Sequence, residues 1–225
     1  MRNLLLSIVG LVVSILLHKT ILALGIQVKL SFTISMIIPY VIEFFFIASI
    51  TFQLYNKLLS EKNMLIRRLV GLTVLLGGCG IAFAAHPIYD GDFNHTYREI
   101  TLKGNSESTF KPGLTMVVLP GCPFCYERLE EMKMIQNIHP DLPIYVLVIQ
   151  QDTISRNDYQ EVAGEDIEVD FFPNALIPTL QIQGYPSMYY MQKNGEQPII
   201  NWSNQGFGSA AWDYVLKQNK ITLHH

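Results

Sequence analysis

Two cysteines separated by two residues are the strongest chemical signal in the sequence. Cys122 and Cys125 stand between a β-branched apolar run, 114–119, and a stretch, 127–138, whose apolar residues recur at helical spacing. A cysteine at a helix N-terminus faces unpaired backbone N–H groups and the positive end of the helix dipole, and both stabilise a thiolate. We therefore predict that Cys122 is the attacking nucleophile. Cys125, inside the first turn, would resolve the mixed disulfide.

Two other roles are open to a Cys-x-x-Cys pair. The pair could be half of a zinc site, but a structural zinc site needs four ligands, and the one further cysteine, Cys79, lies in an apolar segment. The pair could also be a structural disulfide, although such a bond more often closes a long loop. Spacing and context favour redox exchange. We therefore expect no metal site and no bound cofactor beyond the redox-active disulfide itself.

Charge is distributed unevenly along the 225 residues. Residues 1–85 carry seven basic and two acidic side chains, whereas the remainder carries nine basic and 17 acidic ones. The acidic remainder would repel phosphate, so we expect no nucleic-acid partner. These two compositions indicate two physical environments, one apolar and basic and the other aqueous.

Three apolar stretches, at about 4–24, 32–54 and 66–85, each approach the twenty residues that a helix needs to cross a bilayer. The first also has the composition of a secretory signal peptide, but no small-x-small cleavage site follows it and two further apolar stretches do. The loop between the second and third stretches is rich in lysine and arginine, which places it and the N-terminus in the cytoplasm. Three crossings would then deliver the rest of the chain to the periplasmic side of a bacterial inner membrane, where thiol enzymes are needed.

We accordingly divide the sequence into a membrane domain with three transmembrane helices over 1–86, a linker over 87–96, and an extracytoplasmic domain over 97–225. The last of these alternates strands and helices. After the cysteine pair, the pattern predicts a strand at 143–149, a helix at 153–163, a strand at 167–171, an irregular turn at 173–181, a strand after Pro186, a hairpin turn at Asn194–Gly195 and a closing helix at 209–218. This alternation predicts a βαβ arrangement.

Two residues of the membrane domain are candidates for a functional role. Glu43 lies near the middle of the second apolar stretch, where a carboxyl group is costly unless it is protonated or paired. A functional contact and a neutral glutamate hydrogen-bonded to a neighbouring helix are both open. Cys79 lies beside three glycines, where a cysteine is more often a small packing residue than a relay to Cys122.

The order of these elements resembles the thioredoxin superfamily. The matching features are the cysteine pair at the start of a helix, the segment Gly184-Tyr185-Pro186-Ser187 before an apolar strand, and the Lys193–Glu196 turn. The resemblance implies an α/β thioredoxin-like fold, a central mixed sheet flanked by helices, preceded here by an all-α bundle of three transmembrane helices.

The same resemblance implies a set of site residues around the pair. Pro186 would be a cis proline lying against the cysteines, since cis peptide bonds are nearly confined to X–Pro. The dipeptide Ile177–Pro178 is the rival position. The substrate groove would be lined by Gly121, Pro123, Phe124 and Tyr185.

The 61 positions from Cys125 to Pro186 leave room for an extra helix and strand, which resembles the TlpA/ResA-like membrane-anchored thiol–disulfide oxidoreductases. Three positions depart from the family pattern. Gly121 stands where tryptophan is usual, Met116 where thioredoxins carry a buried acid, and Arg128 where this group often has glutamate. The group that handles the Cys125 proton is therefore unassigned.

The membrane part is similar, at Lys19, 39–43 and 78–80, to the DoxX/MauE-like redox-associated membrane proteins. That family normally has four spans and more cysteines, so no function is carried over from it.

The resemblance implies a membrane-anchored thiol–disulfide oxidoreductase, more a reductase than an oxidase. Its partners would be protein thiol or disulfide substrates, a membrane or periplasmic thiol redox partner, and the lipid bilayer. The alternative is an accessory or docking subunit of a larger membrane complex, with Glu43 and the spans binding the partner protein.

Overall fold

The computed structural model describes residues 2–58, 63–88, 90–94, 96–101, 110–149, 153–173, 180, 182, 184–192 and 198–222. Its internal contacts divide the chain into two units, Met1–Ile88 and Tyr89–His225. Part of the predicted linker belongs to the second unit, because the Gly91 amide donates to the Gln205 carbonyl at 3.0 Å. The Asp92 carboxylate likewise accepts from the backbone and the hydroxyl of Ser209, each at 3.0 Å.

The N-terminal unit is helical. Its helices are α1 (Arg2–Leu16), α2 (His18–Gln27), α3 (Phe32–Gln53) and α4 (Met64–Ala85), and a π-helical turn, Leu54–Leu58, extends α3. Side-chain caps mark two of the helix starts. Ser31 accepts from the Ile34 amide and Asn63 from the Leu65 amide, each at 3.2 Å.

The first apolar stretch is not one straight helix. It forms α1 and α2, which are bent by 65° at Leu17. The two helices that extend over Phe32–Asn56 and Met64–Ala85 are long and apolar enough to cross a membrane, and the bent pair would add a third span if it crosses as one. Hydropathy does not register the bend, because it depends on residue types and not on backbone direction. The polar residue that follows the bend, His18, is buried and hydrogen-bonded to Glu43 on α3.

Helix α3 is the centre of the N-terminal unit, since α1, α2 and α4 all pack on it. Glycines allow the closest approaches. A Cβ at Gly25 would lie 2.7 Å from the Ser35 hydroxyl, and one at Gly78 would lie 2.8 Å from Ile47. At Gly77 and Gly80 a Cβ would meet no described atom within 4 Å. Of the three glycines beside Cys79, only Gly78 makes the expected close helix contact with a described residue.

In the second unit the described strands form one mixed sheet. They are β1 (Arg98–Ile100), β2 (Gly113–Val118), β3 (Ile144–Val148), β4 (Glu168–Phe171), β5 (Ser187–Met191) and β6 (Ile199–Trp202), in the order β1-β6-β5-β2-β3-β4. Strands β2, β3 and β4 are parallel, whereas β5 is antiparallel to both β2 and β6. The predicted mixed sheet is therefore present.

Three helices of this unit follow the prediction closely. They are α5 (Pro123–Ile138), α6 (Thr153–Ala163) and α7 (Ser209–Thr222). Helix α5 begins before its amphipathic stretch, because Cys122 caps it and proline suits the first turn. The predicted Asn194–Gly195 turn and the rival Ile177–Pro178 lie outside the described residues.

The core of this unit lies between the sheet and its helices. Every residue of β2 and of β5 is buried. The predicted apolar face of α5 contributes Leu129, Met132 and Ile135, which are all fully buried, and α7 contributes Trp212. Burial of this apolar surface fixes the direction in which α5 leaves the sheet.

Candidate active site: a disulfide at the start of a helix

A four-residue loop carries the chain from the end of β2 to the start of α5. It consists of residues 119–122, and the chain turns at Gly121, whose φ is +66°. That left-handed backbone favours glycine. Added side-chain atoms would have room, because a Cβ there would meet no described atom within 4 Å. The backbone conformation, and not crowding, therefore explains why glycine stands here in place of the tryptophan that the resemblance implies.

Cys122 is the N-cap residue of α5. Its Sγ accepts the backbone N–H of Cys125 at 3.3 Å, and its carbonyl oxygen accepts from the same amide at 3.0 Å and from the Tyr126 amide at 3.3 Å. In the reduced protein, an anionic sulfur at this place would be stabilised by that N–H group and by the positive end of the helix dipole.

The two cysteines are joined by a disulfide, with their Cα atoms 5.2 Å apart. They differ in exposure, since Cys122 is half-buried and Cys125 is fully buried. Cys122 is therefore the cysteine of the pair that is in contact with solvent, whereas Cys125 is enclosed behind it.

The surface around the disulfide is apolar. Phe124 is 61% exposed and Leu119 is 37% exposed, and Gly121 and Pro123 are exposed beside them. Large apolar side chains that remain exposed in a water-facing unit commonly mark a binding surface. A stretch of polypeptide that carries a disulfide would find apolar contacts on either side of Cys122.

Met116 and Arg128, which depart from the family pattern, have surroundings that the structure describes. Met116 is fully buried in the middle of β2, so β2 presents no acid there. Arg128 is paired with Glu131, one turn along α5, and its guanidinium lies 5.7 Å from the centre of the Phe207 ring. Neither residue supplies a carboxylate that could take up the proton of Cys125.

A pair of tyrosines supports the loop, and sequence reasoning missed both. The Tyr159 hydroxyl on α6 donates to the Leu119 carbonyl at 2.6 Å, and its ring stacks on Tyr126 with centroids 4.6 Å apart. Burial raises the pKa of Tyr159, and burial with the nearby Asp158 charge raises the pKa of Tyr126. Tyr159 therefore remains a neutral hydrogen-bond donor. Its place on the buried face of an amphipathic helix was the available signal.

The segment before β5 reaches the same end of the sheet. Strands β2 and β5 are antiparallel and Val117 pairs with Ser187, so the residue before Ser187 lies beside the end of β2 from which the loop leaves. The Tyr185–Pro186 peptide bond is cis. The Tyr185 side chain packs partly buried against the core cluster that contains Val117, and this burial raises its pKa.

The two candidate residues of the N-terminal unit have different surroundings. Glu43 is completely buried, and its Oε1 lies 3.0 Å from Nδ1 of His18. Cys79 is a partly exposed free thiol on α4. Sequence reasoning singled out neither His18 nor His86 as a candidate functional residue. A histidine within or at the end of an apolar helix was the signal that would have drawn attention to both.

No protein-family model and no curated protein sequence matches the chain. Among solved structures, it is similar to a secreted Mycobacterium tuberculosis disulfide oxidoreductase homologous to E. coli DsbE, at 10% identity and a TM-score of 0.40, covering 51% of this chain and 98% of that one. It is also similar to the thioredoxin domain of a thiol-disulfide oxidoreductase from Bacteroides vulgatus, at 17% identity and a TM-score of 0.37, covering 54% of this chain and 94% of that one. Likeness at this level assigns no function, which must come from the geometry of the site.

Proposed function

We propose that this protein is a membrane-anchored thiol–disulfide oxidoreductase that exchanges disulfides in extracytoplasmic proteins. One observation carries the proposal. Cys122, a half-buried residue, caps α5 through its Sγ, which accepts the Cys125 backbone N–H at 3.3 Å and is bonded to the sulfur of the fully buried Cys125. This arrangement stabilises a thiolate at the accessible position and keeps its resolving partner within reach.

The exchange has two steps. The Cys122 thiolate attacks one sulfur of a substrate disulfide, and the other substrate sulfur leaves as a thiolate. The Cys125 thiolate then attacks Cys122, which releases the second substrate thiolate and closes the Cys122–Cys125 disulfide. Two electrons pass to the substrate, whose two thiolates take up protons. A dithiol partner in the membrane or periplasm would return the pair to its reduced form by the reverse exchange.

The proposed groove surrounds Cys122 with the exposed residues Gly121, Pro123 and Phe124, and places Tyr185 and Pro186 at the neighbouring end of β5. The register of β2 against β5 supports this placement. The helix α6 and strand β4, inserted between α5 and β5, support the finer proposal of a TlpA/ResA-like domain. Similarity of the membrane part to the DoxX/MauE-like proteins stays a sequence-based proposal.

Anchoring and orientation complete the proposal. Two long apolar helices and the bent α1–α2 pair provide up to three spans. The basic loop before α4 would lie in the cytoplasm together with the N-terminus. The cysteine pair would then face the periplasm of a bacterial inner membrane, an oxidising compartment in which such exchange is required.

The test is a reduction assay on the full chain in detergent, with insulin as the disulfide substrate. We expect Cys122→Ser to abolish turnover and Cys125→Ser to accumulate a mixed disulfide with substrate, because the attacking thiol is kept and the resolving one is lost. Cys79→Ser is the matched control and should keep full activity. Turnover by Cys122→Ser would refute the assignment.

The direction of exchange needs a separate measurement. Equilibrating the chain with mixtures of reduced and oxidised glutathione gives the fraction of reduced Cys122–Cys125 and hence its potential. If the protein is a reductase, glutathione should reduce only a small fraction of the Cys122–Cys125 disulfide. A pair that glutathione reduces readily would instead indicate an oxidase or isomerase.

A further inference from the structure

Three side chains of metal-ligand type meet inside the N-terminal unit. His18 begins α2, Glu43 lies in the middle of α3, and His86 follows the last residue of α4. One imidazole nitrogen or carboxylate oxygen from each of them lies within 4.8 Å of the others. Three separate helices therefore bring three metal-binding groups to one place.

Only one of the two oxygens of the Glu43 carboxylate, at the centre of this cluster, has a hydrogen-bond partner among the described residues. Its Oε1 lies 3.0 Å from Nδ1 of His18, while its Oε2 is buried and has no hydrogen-bond partner among the described residues. Glu43 is 0% exposed and His18 is 5% exposed. A buried carboxylate oxygen without a partner is costly, and a bound cation would remove that cost.

Neighbouring groups hold the histidines at the cluster. The Tyr40 hydroxyl donates to the His86 carbonyl at 2.7 Å, and the Tyr40 ring meets the His18 ring edge-on with centroids 4.8 Å apart. Nε2 of His86 lies 3.1 Å from the Ile15 carbonyl. The chain after α4 is thus tied to the other helices at the residue that provides the third ligand.

We propose that His18, Glu43 and His86 bind a divalent first-row transition-metal ion. Two imidazoles and one carboxylate are donors that Zn²⁺ and the neighbouring divalent metals accept. A dication would balance the charge of a carboxylate enclosed in an apolar helix bundle. Three protein ligands also leave a fourth position open to water or to a second ligand.

Binding requires one ring to move. The rings of His18 and His86 are stacked, with centroids 3.9 Å apart and an angle of 18° between them. A metal ion lies in the plane of the imidazole that binds it, so two nearly parallel stacked rings cannot share an ion. His86 is partly exposed and lies beyond the end of α4, and its ring is the one we expect to turn. It would exchange its contact with the Ile15 carbonyl for the ion.

The competing interpretation is a purely structural His18–Glu43 hydrogen bond with a stacked second ring. To separate the two, the full chain is purified in detergent without an affinity tag, in a background that lacks the three cysteines and the C-terminal histidine pair. The background carries Cys79→Ser, Cys122→Ser, Cys125→Ser, His224→Ala and His225→Ala. Because this background has no thiol pair, the outcome does not depend on the proposed oxidoreductase activity.

Equilibrium dialysis against Zn²⁺ with elemental analysis then gives stoichiometry and affinity. We expect one Zn²⁺ per chain, and binding about ten-fold or more weaker in Glu43→Gln and in His86→Ala, since each removes a ligand. His139→Ala, which removes a histidine from the second unit, is the matched control and should bind as tightly as the background protein.

Failure to retain Zn²⁺ at micromolar free concentration would overturn the site, and so would binding by both ligand variants as tight as that of the background protein. Thermal unfolding gives an independent measurement, because an ion that binds only the folded chain raises Tm. Zn²⁺ should raise the Tm of the background protein but not that of Glu43→Gln. If Glu43→Gln does not fold, His86→Ala carries the test, since its side chain is partly exposed and lies outside α4.

Discussion

The two units of this protein distribute polar and apolar side chains in opposite ways. In the N-terminal unit large apolar residues face outward, such as Phe45 at 68% and Leu65 at 72% exposure, while Ser35 and Glu43 are completely buried. In the second unit the largest side chains, such as Trp212, are buried in the sheet core. The exterior of the first unit is therefore suited to hydrocarbon, and that of the second to water.

The reactive groups follow the same division. The disulfide of the second unit lies at the surface, where the start of a helix and an apolar rim surround a half-buried sulfur. The ionisable cluster of the first unit is enclosed by helices instead. An aqueous site must be reachable by its substrate, whereas a polar group within a bilayer must first be satisfied by its neighbours.

The largest expected effect tests the apolar core of the second unit. Trp212→Ala should lower the free energy of unfolding by about 3 to 5 kcal/mol, because it leaves a cavity in a core that packs closely. It also removes the indole N–H that donates to Glu131 at 2.6 Å. Denaturant unfolding in detergent, followed by the fluorescence of Trp202, measures the change.

Phe45→Ala is the control for that comparison. Its ring is exposed on the N-terminal unit, so the same unfolding transition should move by no more than about 0.5 kcal/mol. If the two variants lose equal stability, the opposite organisation of the two units is wrong.

A second prediction concerns pH. Burial is the main cause that raises the pKa of Tyr189 and of Tyr190 from 10.0 to about 12. The folded chain therefore binds these protons more tightly than the unfolded chain does. Their contribution to the free energy of unfolding is fully present below pH 10.0 and is lost as pH rises through about 12. The loss should approach roughly 2 to 3 kcal/mol for each tyrosine.

Denaturant unfolding at a series of alkaline pH values measures this loss, and the absorbance of tyrosinate reports the ionisation. Tyr190→Phe should reduce this slope without abolishing it, because phenylalanine does not ionise and other buried tyrosines remain. An unchanged slope in that variant would mean that other groups cause the alkaline unfolding.

The smallest expected effect tests packing in the N-terminal unit, with two glycines of α4. Gly78→Leu should destabilise the unit by about 1 to 3 kcal/mol, because its Cβ would lie 2.8 Å from Ile47 on α3. Gly80→Leu should instead stabilise it by up to about 1 kcal/mol, since leucine is the better helix former and that position is open.

Melting temperatures of both variants in one detergent measure this difference, and the two shifts should have opposite signs. Shifts of the same sign would show that α4 does not approach α3 through Gly78 alone.

Elements that depend on neighbouring residues could be predicted closely from the sequence. Helix α6 has its predicted bounds, and β2 and β3 each lie within one residue of theirs. The start of α5 was less well defined, because the apolar periodicity begins only after the cysteine pair. The bend at Leu17 was missed, since it lies inside one stretch, 4–24, that is long and apolar enough as a whole to be taken for a single helix.

What the sequence by itself determined is the thiol chemistry of the cysteine pair. The strand, the loop and the first turn of α5 are contiguous, so the cap and the helix dipole that act on Cys122 come from residues beside it in the chain. Only the tertiary structure decided which groups surround Glu43. His18 and His86 are distant from it in sequence, and they meet it because α1, α2 and α4 all pack on α3. Local backbone geometry can be inferred from neighbouring residues, whereas a contact between helices depends on the packing of the whole unit.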